Sequence, residues 1–291
     1  MSSKTKKLSL FWTIVLSFIV TALWGFNYPI VKVTLTDVPT FLVLFIRFFL
    51  MSLCLWPFFP KPPSPMKQLI PVMLSFCLGH LVCMYLAMEI GLSSGNAVIF
   101  QQVGIPILMI LGVIIFKERI SIINGLGALV SISGITILFH HPAESQPILG
   151  YLLMCGSGFF WALYSVLLKK VQSQNALAIV VWVGLLGMPC FFLLSLLTHP
   201  QPIIPTIMTI SPLSWGGIIY MIVGSSLIAH GLWTFLIQRA DTAILAPMIL
   251  LVPIFGVLGR ILFLNEPTTI MTIIGISVVL IGLIFSIQKK L

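Results

Sequence analysis

The chain alternates long apolar stretches with short polar breaks, and the stretches have helical rather than strand length. They run near residues 10–32, 38–58, 68–89, 95–116, 120–139, 147–168, 177–197, 213–237, 242–264 and 268–287, separated by charged, Pro-rich or Gly/Ser/Asn-rich segments. A helix crosses the roughly 30 Å hydrocarbon layer in about 20 residues. The pattern therefore predicts an all-α integral membrane protein of ten transmembrane helices, with no soluble domain in its short connections. Lys4, Lys6 and Lys7 precede the first run as in a signal peptide. That run continues without a small-residue cleavage site, so it reads as a retained first helix.

Composition narrows the class. Apolar residues make up 59% of the chain and charged residues 7%, against about 25% charged in a soluble domain. This excludes a soluble enzyme, a disulfide-stapled secreted domain and a disordered regulator. Cys54, Cys77, Cys83, Cys155 and Cys190 all lie in apolar runs, are odd in number and form no CxxC pair. They read as packing residues, with no metal or redox role.

The net charge of +9 comes from 15 Lys+Arg and 6 Asp+Glu. Twelve cations fall on one set of alternate loops: Lys4, Lys6, Lys7, Lys61, Lys67, Lys117, Arg119, Lys169, Lys170, Arg239, Lys289 and Lys290. The other set has only Lys32, and Arg47 and Arg260 lie within spans. The positive-inside rule then puts both termini in the cytoplasm of a cell whose cytoplasmic (inner) membrane holds this multi-pass chain. The basic surplus is topological and predicts no nucleic-acid partner. All six carboxylates sit at predicted span ends. No acid/base pair for catalysis is visible, so the expected protein is not an enzyme, has no catalytic residue and needs no cofactor. Carboxylate-based proton antiport is disfavoured, and no GxxxxGK[ST] motif offers ATP drive.

Two halves can be aligned, residues 1–140 and 141–291, within one transmembrane domain. Trp24 and Lys32 match Trp161 and Lys169, His80 matches His230, Pro106 and Gly112 match Pro253 and Gly259, and Glu118, Gly127 and Gly134 match Glu266, Gly275 and Gly282. Five helices per half is an odd number, so the halves are expected to be inverted. Inverted repeats suit a carrier, because each half can adopt the conformation of the other around a central site.

The stretch Pro253 to Glu266 (PIFGVLGRILFLNE) with Gly275 and Gly282, its counterpart PILMILGVIIFKE with Gly127 and Gly134, the ALWGFNYPIVK of helix 1 and Arg47-Phe48 resemble the EamA-type family of the drug/metabolite transporter superfamily. The resemblance covers essentially the whole chain. It implies ten helices in two five-helix repeats and, in most members, export of amino acids, related metabolites or drugs.

Several residues are candidates for the site. Trp24, Asn27, Tyr28 and Lys32 share a face of helix 1, and Trp161, Tyr164, Ser165 and Lys169 repeat it in helix 6. Such faces suit cavity walls, or else an interfacial aromatic belt with snorkelling lysines, which is the reading favoured for the two lysines. His80 and His230 lie mid-span, where a histidine is either packed through one hydrogen bond or functional. Arg47 is mid-span and must face the interior, clamping a substrate carboxylate or tying down carbonyls at a helix end. Gln101 and Gln102 open a polar patch before Pro106. Arg260 is expected to pair with Glu266. The HHPAE stretch around His140 and His141 reads as a solvated turn, and no metal site is expected.

The sequence predicts a secondary carrier working by alternating access on a small neutral or zwitterionic metabolite, foremost an amino acid with an apolar or aromatic side chain. Its expected partners are that small molecule and the lipid bilayer, with no obligatory protein partner. The direction, export, comes from the resemblance. The alternative is a proton-coupled drug or multidrug exporter with His80 and His230 carrying the coupling.

Overall fold

The computed structural model describes residues 8–118, 121–138, 147–171, 175–199, 202–264 and 270–287. The cationic N-terminus, Arg119, His140, His141, Glu144, Glu266, Lys289 and Lys290 lie outside them, and with them the expected Arg260–Glu266 pair. Among the described residues all regular structure is helical. Eight helices are long and apolar enough to cross a membrane: α1 (Leu10–Thr34), α2 (Thr40–Phe58), α3 (Met66–Glu89), α4 (Ser94–Phe116), α6 (Ile148–Lys170), α7 (Ala176–Thr198), α8 (Pro212–Ile237) and α9 (Thr242–Phe263). Two more, α5 (Ile122–Leu138) and α10 (Ile270–Ile287), are apolar but shorter. The 17 residues of α5 rise about 26 Å, just under the hydrocarbon thickness. The outer surface is apolar, with Ile122, Ile148 and Leu197 among the exposed side chains, as a lipid-facing surface requires.

Within lipid the hydrophobic effect does not bring helices together, so close packing must. α5 and α10 pack against each other along their length, as do α2 with α7 and α1 with α9. Glycine sets the spacing where backbones nearly touch. A methyl group on Gly25 of α1 would lie 2.6 Å from the Val252 carbonyl oxygen of α9. One on Gly282 of α10 would lie 2.6 Å from the Gly127 carbonyl of α5. Two of the glycines matched between the halves thus serve a single interface.

Four helices depart from regular α geometry near the centre. Leu74–Leu81 in α3 and Met221–His230 in α8 are π-helical, and each stretch includes a mid-span histidine. α4 breaks between Gln101 and Gly104, and α9 tightens into a 3₁₀ turn over Ile249–Leu251. The cause is legible in the chain: Pro106 and Pro253 lack the N–H that would bond the carbonyl four residues earlier. The Gln102 carbonyl instead accepts from Ile105 N at 2.9 Å, and the Ile249 carbonyl accepts from Val252 N.

One end of the bundle is clasped by Glu118. Lys117 ends α4 in the left-handed conformation, at φ 54°. The Glu118 carboxylate then accepts from the backbone N–H of Thr242 at 2.8 Å and of Ala243 at 3.3 Å, capping α9. Lys169 at the end of α6 forms an ion pair with the same carboxylate. At the other end Lys32 donates to the carbonyls of Met88 (2.8 Å) and Leu92 (3.4 Å) where α3 finishes. Both ammonium groups are held by polar partners on other elements, Lys32 by helix-end carbonyls and Lys169 by a carboxylate.

Candidate functional site

The irregular stretches of α3, α4, α8 and α9 surround a cavity of about 40 Å³. Nine of the ten candidate residues line it. α1 contributes Trp24, Asn27 and Tyr28, α2 contributes Arg47 and α3 contributes His80. The break in α4 contributes Gln101 and Gln102, α6 contributes Trp161 and α8 contributes His230. Tyr164 lies one layer behind: its ring stacks on Phe76 at 4.6 Å, and Phe76 in turn meets His230 at 4.6 Å. The volume admits a few water-sized molecules; a metabolite would need the walls to part.

Arg47 is fully buried. Its guanidinium donates to Ser226 Oγ at 2.9 Å, Tyr85 OH at 3.1 Å and Ser225 Oγ at 3.4 Å. These are hydroxyls rather than the helix-end carbonyls that were one of the two expectations for Arg47. No carboxylate lies within ion-pair distance of Arg47 among the described residues. A buried charge without a counter-charge costs several kcal/mol, and three of its five N–H donors are used. The cavity is therefore electrostatically incomplete and suited to an anionic group, with guanidinium geometry favouring a carboxylate.

Aromatic rings form one flank. Trp24 packs edge-on to Trp161 at 6.1 Å, and Trp233 packs against both, at 5.5 and 5.2 Å. Trp233 Nε1 donates to Ser165 Oγ at 3.1 Å. Tyr28 OH donates to Gln101 Oε1. His80 Nδ1 faces the Ser157 hydroxyl at 2.9 Å and carbonyl at 3.2 Å. His230 Nδ1 lies 2.5 Å from the Ser225 carbonyl and 3.3 Å from Trp24 Nε1. Nε2 of His230, Oδ1 of Asn27 and Oε1 of Gln102 are buried without a partner.

Sequence reasoning missed Ser225, Ser226, Tyr85 and Trp233. Trp233 follows His230 by three residues, the spacing that puts both on one face, so a signal existed. The serines carried none, since serine in an apolar helix commonly bonds its own backbone; Ser226 Oγ does also donate to the Met221 carbonyl at 2.9 Å.

The profile of the EamA-like transporter family matches the chain twice, over residues 11–140 and 148–288. The chain belongs to this family. It is accordingly a multi-pass membrane protein and a transporter rather than an enzyme. It is 27% identical over 279 residues to a Salmonella typhimurium protein named "Probable amino-acid metabolite efflux pump", covering 94% of this chain and 93% of that one. An Escherichia coli protein of the same name is 26% identical, covering 94% of each. An Archaeoglobus fulgidus protein described as an uncharacterized transporter is 24% identical, covering 92% of this chain and 94% of its own. A solved crystal structure shares the fold at a TM-score of 0.74 and 16% identity, covering 94% of this chain and 97% of its own.

Proposed function

We propose that this EamA-family transporter exports small zwitterionic metabolites, foremost amino acids with apolar or aromatic side chains, across the cytoplasmic membrane by alternating access. The observation that carries the reading is Arg47: a buried guanidinium lining the central cavity with no carboxylate partner among the described residues. A substrate carboxylate would complete it, and the neighbouring tryptophans suit an apolar side chain. The efflux names of the Salmonella and Escherichia relatives support export.

In this reading α5 and α10 also cross the membrane, giving ten spans as two inverted five-helix repeats, residues 1–140 and 141–291, with both termini cytoplasmic. The loop-charge partition supports the orientation. The double family match and the paired irregularities of α3 with α8 and α4 with α9 support the repeat. The small molecule and the bilayer are the only partners required.

Counterflow in proteoliposomes against an amino-acid panel tests the substrate class. Accumulation above protein-free liposomes for apolar or aromatic members is expected, and its absence across the panel would overturn the reading. A second reading, proton-coupled drug export, draws on His80 and His230 lying in matched π-helical stretches, next to the end of one and at the end of the other. It requires drug accumulation to rise with an imposed pH gradient; independence from the gradient would remove it.

A further inference from the structure

We propose that Glu118 and Lys169 form a latch across one end of the cavity, and that its release lets α4 and α9 part to admit the substrate from the cytoplasm. This rests on the alternating-access reading and names what controls entry to its site.

A cavity of about 40 Å³ holds no metabolite until its walls part. The Glu118 carboxylate accepts from the backbone N–H groups of Thr242 and Ala243 and from the Thr242 hydroxyl, all at the start of α9. It also pairs with the Lys169 ammonium at the end of α6. Lys169 in turn donates to the Ala240 carbonyl at 3.4 Å and stands over the Phe116 ring of α4 at 4.8 Å. One carboxylate thus joins α4, α6 and α9. The same three helices wall the cavity, through Gln102, Trp161 and Ile249.

Gly112 shows how tightly this end is shut. A methyl group there would collide with the Thr242 hydroxyl and lie 3.3 Å from Glu118 Oε2, so no passage runs between α4 and α9 at this level. Both tied helices have a hinge on the cavity side of the latch. α4 is broken between Gln101 and Gly104, and α9 tightens over Ile249–Leu251. The latched segments, Gly104–Phe116 and Thr242–Met248, can therefore tilt without breaking a continuous helical ladder. The Lys169 and Glu118 side chains are 17% and 10% exposed. Water already reaches the pair, and it parts without leaving two dry charges.

The loop charges put this end in the cytoplasm, where a molecule bound for export must enter. Lys32, the counterpart of Lys169 in the other half, bonds the carbonyls of Met88 and Leu92 instead. The two ends are thus held by different chemistry, and removing the ionic tie acts on one of them only.

Side-specific labelling of the full chain in right-side-out and inverted membrane vesicles tests this. The five native cysteines are replaced by alanine, Ile249→Cys places one thiol on the cavity wall, and a membrane-impermeant maleimide is applied to one face at a time. Against the same chain with the latch intact, Lys169→Met is expected to raise labelling from the cytoplasmic face roughly 2- to 5-fold, and Glu118→Ala to raise it further. Labelling from the outer face should fall in both variants, because opening one end of an alternating carrier closes the other. A bundle merely loosened by the substitutions would label faster from both faces; that result, or no change in either variant, would overturn the latch. Amino-acid counterflow by the latch-intact chain alongside such a result would overturn the latch alone. A thiol reached from a single face in all three chains, with no counterflow, would overturn alternating access itself.

Discussion

Arg47 of α2 donates its Nε–H to the hydroxyl of Ser226 in the π-helical stretch of α8 at 2.9 Å. The bond joins a cation in the first half of the chain to an irregular turn in the second. A substrate carboxylate entering the cavity would compete with Ser225 and Ser226 for the same guanidinium. Ligand binding would thereby act on the α8 turn directly.

Replacing Arg47 should accordingly damage binding more than folding would explain. A charge-assisted hydrogen bond contributes about 1.5–3 kcal/mol, so Arg47→Gln is expected to weaken amino-acid binding roughly 10- to 150-fold. Arg47→Lys, which keeps the charge without the bidentate fork, should recover part of that. Binding titrations on nanodisc-held protein, alongside melting curves, separate the two effects.

At the clasped end, Glu118 both caps α9 and pairs with Lys169. Glu118→Ala removes the cap as well as the pair, and loss of a capping acceptor costs about 1–2 kcal/mol. Hydrogen exchange at the Thr242 and Ala243 amides should quicken by about 5- to 30-fold. Lys169→Met breaks only the ion pair and should quicken it less. Equal effects would mean the pair, not the cap, holds that end.

Gly25 and Gly216 provide a contrast. A methyl on Gly25 would press on the Val252 carbonyl, whereas one on Gly216 meets nothing within 4 Å. Overpacking costs about 1–3 kcal/mol, while Gly to Ala in an open helix position gains up to about 1 kcal/mol. Thermal melts should show Gly25→Ala lowering the midpoint and Gly216→Ala leaving it level or raising it.

In the loop after α1, Asp37 accepts from Ser211 N at 2.9 Å. That backbone bond, followed by the hydroxyls of Ser211 and Ser214, lowers its pKa below the usual carboxylate value. The folded state therefore favours the charged form. Its contribution is present above the ordinary carboxylate pKa and is lost as pH falls through the lowered one. Wild type should lose melting temperature between about pH 5 and pH 3 slightly more steeply than Asp37→Asn, since the site is exposed and the effect small.

Much of this arrangement was legible in the chain because polar residues are conspicuous in apolar runs. Arg47, His80 and His230 stood out for that reason, and the breaks in α4 and α9 followed from Pro106 and Pro253. Helical spacing on α1 grouped Trp24, Asn27 and Tyr28 correctly on the cavity wall. On α6 the same rule brought Tyr164 to within 6.2 Å of the His230 ring and 4.6 Å of Phe76 but not onto the cavity wall. The partners of Arg47 were not legible: Ser225 and Ser226 reach it from 178 and 179 residues away, through a π-helical turn that no periodicity announces. The partners of Lys32 and Lys169 were not legible either, because they belong to other elements.

The central claim is that Arg47 receives the carboxylate of a transported amino acid. The most direct measurement is exchange of labelled phenylalanine in proteoliposomes preloaded with the unlabelled amino acid, comparing wild type with Arg47→Gln reconstituted at equal density. The account predicts transient accumulation above protein-free liposomes for wild type and its near-complete loss in the variant. Wild-type exchange that persists undiminished in Arg47→Gln would contradict it.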